Sequence, residues 1–135
     1  MSVSYVNPGQ VMAPAGQYSH VAVAEPGRLA FIAGQVALDA DGELVGVGDP
    51  GAQFRQIFSN LAAILDSLGA TPTDVADLKT YLVGEESLAS FRDARQAVFA
   101  QYYPDGAYPP NTLLIVSGLV HPDLKVEVSA TARVP

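Results

Sequence analysis

Two charged residues break the patterns around them, and each could act on a ligand. Arg95 falls on an apolar stripe: counted from Leu88 it stands at i+7, with Phe91 before it and Val98 and Tyr102 after it. A guanidinium in that place snorkels to solvent, forms a structural ion pair, or lines a pocket or interface. Its neighbours Arg92 and Asp93 read as ordinary surface charges. Glu127 lies between Val126 and Val128 in an alternating run, so it points away from both valines. On an open face it is a solvated carboxylate; at a subunit interface it becomes a candidate general base or water-positioning group. A third place is "AYPPNTLLIV" (107–116), where two prolines lead into a β-branched, aliphatic run and Asn111 is the one amide side chain at the junction.

Other motifs lead to plain structure. "GVGDPG" (46–51) matches G-x-G-x-x-G ahead of a helix, but only Leu44 and Val45 precede it as strand. Asp49 would also set a carboxylate at the helix N-terminus, where a phosphate must sit. The pattern reads as a turn and a helix cap, and no nucleotide is expected. His20 and His121 lie far apart in sequence with no HxH or HExxH partner, so loop or surface positions are expected and no metal. There is no cysteine, which excludes disulfides, a thiol nucleophile and thiolate metal sites, and no serine stands in G-x-S-x-G.

The elements that must position these residues are well marked. "SVSYV" reads as a short strand ended by "NPG". "YSHVAVA" and "LAFIAGQVAL" read as a hairpin turned by Pro26-Gly27, followed by a second turn at Asp41-Gly42. The first helix has Asp49 as N-cap, Pro50 at its first position and Gly69 as C-terminal cap. Its apolar face is Phe54, Ile57, Phe58, Leu61, Ile64, Leu65 and Leu68. "DLKTYLV" is a strand, and a second helix runs from about Glu85 to Tyr103 with a stripe of Leu88, Phe91, Val98, Phe99 and Tyr102. "TLLIVSGL" and "LKVEVSATARV" close the chain as strands. The expected fold is a single α+β domain over 1–135, a mixed sheet with both helices on one face.

Composition narrows the partners. The net charge is −7 and the seven basic residues are scattered, so no stripe follows a phosphate backbone and no nucleic acid is expected. Only 16% of residues are charged, which suggests apolar surface hidden against another subunit. No signal peptide and no run of about 18 apolar residues is found, so a cytoplasmic protein without membrane contact is expected.

Six stretches in order and spacing resemble the RidA/YjgF family, also labelled L-PSP endoribonuclease: "PAGQYSHVAV" (14–23), "FIAGQVALDADGEL" (31–44), "NLAAILDSLGAT" (60–71), "SFRDARQAVFAQYYP" (90–104), "YPPNTLLIVSGL" (108–119) and "KVEVSATA" (125–132). The resemblance implies a chorismate-mutase-like fold and a homotrimer with ligand clefts between subunits. It also implies cofactor-free hydrolysis of reactive imino acids to keto acids and ammonia. In that chemistry an arginine clamps the substrate carboxylate and a glutamate positions or activates water. Carried over, Glu127 matches the catalytic glutamate, Tyr18 borders the cleft, and Gly34 offers backbone to ligand, although the serine of the family's S-G-Q motif is Ala33 here. The clamp position of the P-A-R-S/T pattern reads Pro110-Asn111-Thr112, and Arg95 stands where the family often has an asparagine. Substrate-binding residues are therefore expected at Tyr18, Gly34, Arg95, Asn111 and Thr112. Arg95 is expected to replace part of the lost clamp, and specificity to be altered. The leading expectation is a hydrolase of an imine, enamine or related metabolite; the alternatives are a non-catalytic trimeric metabolite-binding protein and, last, an endoribonuclease.

Overall fold

The computed structural model describes residues 2–135. In chain order the elements are β1 (Val3–Val6), β2 (Val21–Ala24), β3 (Arg28–Gln35), α1 (Pro50–Ser67), a 3-10 turn (Pro72–Asp74), β4 (Val75–Val83), α2 (Ser87–Tyr102), β5 (Asn111–Val116) and β6 (Val126–Val134). β1 and β2 form an antiparallel ribbon. The other strands form a sheet in the order β3-β6-β4-β5, antiparallel except for the parallel β4–β5 pair. The mixed sheet and two helices of the expected α+β fold are present.

Alternation along β6 decides which face is covered. Val126, Val128, Ala130, Ala132 and Val134 are buried, and they pack with Leu78 and Leu82 of β4 under the two helices. α1 contributes Phe54, Ile57, Phe58, Leu61 and Leu65 to that core, and α2 contributes Phe91, Ala94, Val98 and Phe99. Ring pairs such as Phe54–Phe91 at 5.0 Å and Phe58–Phe99 at 5.5 Å join the helices. Gly51 lets them approach, because a Cβ there would lie 2.9 Å from Ser90 Oγ and 3.0 Å from Ser90 O. The last glycine of "GVGDPG" thus serves helix packing.

The caps of α1 form as the sequence predicts. Asp49 accepts a hydrogen bond from Ala52 N at 3.1 Å. Past the C-terminus Gly69 takes a positive φ of 74°, while Ala70 N donates to Leu65 O at 2.9 Å and Gly69 N to Asp66 O at 3.0 Å. Leu68, predicted on the apolar face, is the C-cap and is exposed.

The hairpin predicted around Pro26-Gly27 does not form. β2 pairs with β1, from Val3↔Ala24 to Val6↔Val21, whereas β3 pairs with β6. A tight two-residue hairpin needs positive φ at its turn, and Gly27 does not adopt it. Instead the Arg133 guanidinium fills the space beside Gly27, 2.8 Å at Cζ from where a Cβ would be, and donates to Pro26 O at 2.8 Å. "EPGR" therefore carries the chain from one sheet to the other. Among the described residues no helix is long and apolar enough to cross a membrane.

Candidate ligand pocket and an open-face carboxylate

Where α2 passes the start of β5, the loop before β2 closes a pocket of about 620 Å³ lined by Gly16, Tyr18, Arg92, Arg95, Gln96 and Asn111, among others. Asn111 is the first residue of β5 and the register partner of the core residue Leu78, so its side chain lies on the helix side of the sheet. Pro109 and Pro110 fix an extended approach, and their carbonyls accept from Ser19 N at 3.4 Å and Leu78 N at 2.9 Å. Those two bonds hold the Tyr18 loop and β4 around the head of β5. Asn111 Oδ1 accepts from the buried Thr80 hydroxyl at 2.9 Å, which leaves Nδ2 as the amide's available donor.

Arg95 does not snorkel. It is 7% exposed and its guanidinium carbon lies 5.1 Å from the Phe91 ring centre, a cation–π contact. Nε has no hydrogen-bond partner among the described residues, and no acidic side chain pairs with the group. Burial lowers its pKa, and the neighbouring Arg92 charge lowers it further, with Tyr108 opposing. It nonetheless stays cationic at neutral pH, since a free guanidinium titrates far above that range. None of the chain's acidic residues lines the pocket, so the electrostatics favour an anion.

Glu127 lies elsewhere. It shares the open face of the sheet with Ser129 and Thr131, and opposite Tyr81 in the register, whereas Asn111 faces the helices. Its carboxylate rests against Gly34: a Cβ on that glycine would collide with Oε2 and lie 2.7 Å from Cδ. There the β3–β6 register slips between Ile32↔Ala130 and Gln35↔Val128, so Ala33 and Gly34 together oppose Ser129 in a β-bulge. The bulge interrupts the ladder beside the carboxylate. Thr112 is exposed on the same open face, in register with Lys79 and Ser129, and not in the pocket.

Of the six residues read from the sequence, Tyr18, Arg95 and Asn111 meet in the pocket, Gly34 and Glu127 meet on the other face, and Thr112 stands apart from both groups. Arg92, read as an ordinary surface charge, is exposed but lines the pocket. Its i−3 spacing from Arg95 is the signal that could have revealed it. Thr80 and the buried Gln53 gave no such signal. Gln53 donates to Gly46 O at 3.0 Å and Asp123 O at 2.9 Å and accepts from Lys125 N at 2.7 Å, tying the α1 turn to the approach of β6. His20 and His121 are exposed, and no group of three metal-ligating side chains occurs among the described residues.

Comparison with known proteins agrees with this architecture. The family model described as Endoribonuclease L-PSP matches residues 9–134. The chain belongs to this family, the Rid/YjgF proteins. The crystal structure of YyfB from Yersinia pestis, described as a protein of unknown function of the conserved Rid family, is 40% identical. It covers 99% of this chain and 100% of its own, with a TM-score of 0.84. The YjgF structure from E. coli shares the Rid fold at 22% identity and TM-score 0.70, covering 96% of this chain and 98% of its own. E. coli TdcF with bound serine shares it at 20% identity and TM-score 0.71, covering 98% and 99%.

Proposed function

We propose that this Rid-family chain is a cofactor-free hydrolase of an imine, enamine or related small metabolite, acting in clefts between subunits of a homotrimer. The observation that carries the reading is the pocket of Tyr18, Arg95 and Asn111, which holds a buried guanidinium with no ion-pair partner among the described residues, and no carboxylate. Such a pocket suits the carboxylate of an imino acid, with Arg95 supplying the charge at a site where Asn111 supplies only an amide. Glu127 would hold the attacking water. A carboxylate near water, with Gly34 backbone beside it, is suited to take a proton as the water adds to the C=N carbon. Returned to the nitrogen, that proton lets the C–N bond break as the carbonyl forms, so ammonia leaves and the keto acid remains.

The separation of Glu127 from the pocket supports a cleft completed by a second copy. The face that carries Glu127 also exposes Leu29, Phe31 and Leu114, with Phe31 79% exposed, an apolar surface suited to burial in an assembly. That same separation favours a second reading, ligand binding without turnover, should neighbouring copies leave Glu127 away from the ligand.

The test is hydrolysis of iminopropanoate and iminobutanoate generated in situ, read as ammonia and keto-acid release. Wild type is expected to turn over an imino acid, Glu127→Gln to lose at least roughly a hundredfold in kcat, and Asn111→Arg to shift specificity among the acids. A flat rate for wild type and Asn111→Arg alike rejects the hydrolase and leaves the binding protein.

A further inference from the structure

The pocket holds Arg92 and Arg95, two of the chain's seven basic residues, and none of its 14 acidic residues. Arg95 is at the wall, buried against Phe91 with Nε unpartnered. Arg92, one helical turn earlier, is exposed at the rim. Residues at i and i+3 are side-by-side neighbours on a helix, with Cβ atoms about 5–6 Å apart. Their charges repel: burial lowers the Arg95 pKa, and the Arg92 charge lowers it further. One anionic group can neutralise the buried cation but leaves the outer one unmatched; two groups on a short carbon chain match both. Asn111 Nδ2 and the Gln96 amide add neutral donors for whatever lies between.

We propose that the pocket selects a small dicarboxylate, with one carboxylate held by Arg95 at the wall and the other by Arg92 at the rim. This deepens the reading of the pocket as the ligand site and rests on it. A hydrolase of this specificity would act on the imine of a dicarboxylic acid, and a binding protein would hold the diacid itself.

Calorimetric titration of the full chain with succinate against butyrate, and glutarate against pentanoate, separates this from the hydrolase reading. These saturated acids have no C=N bond, so binding is measured whether or not the protein turns anything over. Each diacid is expected to bind about fivefold more tightly than its monoacid at low ionic strength, with the advantage shrinking in ~0.5 M salt. Arg92→Gln should narrow the advantage to less than about twofold, because the rim charge is its source. Arg95→Gln should weaken both acids of a pair by roughly tenfold or more, and Arg95→Lys should recover part of that loss. Arg55→Gln, on α1 outside the pocket, should keep the wild-type preference. Equal affinity for diacid and monoacid, a preference that survives Arg92→Gln, or no binding by any of the four acids would overturn the proposal.

Discussion

Thr80 and Asn111 bond across the parallel β4–β5 pair, one residue buried and the other at the pocket. Thr80→Val keeps the side chain's shape and removes the donor, so Asn111 Oδ1 loses its partner and the amide is free to rotate. The loss is about 1 kcal/mol, which lowers Tm by roughly 3–6 °C in a chain of this size. Ligand affinity should fall with it, whereas a variant of equal Tm loss at Leu65, remote from the pocket, should bind as wild type. Calorimetry on the two variants checks this. Arg95 is legible in the sequence because a charge on an apolar stripe has few resting places. Asn111 is legible only through its place in a family pattern, since an amide at the start of a strand is unremarkable by itself. Thr80 is not legible at all, because its role depends on a strand register that no local pattern encodes.

At the scale of elements, α1 is readable from its caps and spacing, and the prediction of its apolar face fails only at Leu68, the exposed C-cap. The hairpin fails because turn residues report that the chain bends, not where the next strand goes. α2, which carries both pocket arginines, has no side-chain N-cap bond and is anchored by packing and by its C-terminus. There Tyr103 donates its hydroxyl to Pro72 O at 2.9 Å, and Tyr5 ties β1 to β4 by donating to Val75 O at 2.8 Å. Burial raises the pKa of both phenols, with Asp74 adding to the effect at Tyr5 and Tyr5 adding to it at Tyr103. Below about pH 10 both are protonated in the folded and the unfolded chain. Above it the unfolded chain releases protons that the folded chain keeps, so stability falls as pH rises. Urea titrations at increasing pH should show this alkaline decline, and Tyr103→Phe should make it shallower while costing about 1 kcal/mol at neutral pH. A decline of unchanged slope in that variant would assign the effect to other groups.

At the scale of the molecule, the sequence foretells one α+β sheet with helices on one side, and the helix-covered face is complete within the chain. The other face is not: it leaves Phe31, Leu29 and Leu114 in solvent beside Glu127. Low charge content hints at such a surface, but which apolar side chains gather on it follows from the pairing of β3, β6, β4 and β5, which the local pattern does not encode. The division of the candidate site between two faces has a genetic consequence. On the proposed assembly, a subunit with Arg95→Gln still offers a sound carboxylate, and one with Glu127→Gln still offers a sound pocket. Each variant alone should be nearly inactive, yet unfolding and refolding them together in equal amounts should restore activity in about a quarter of the clefts of a cyclic oligomer. Such complementation between two defective copies, scored by imino-acid turnover of the mixture, would not arise if pocket and carboxylate served the same ligand from within one chain.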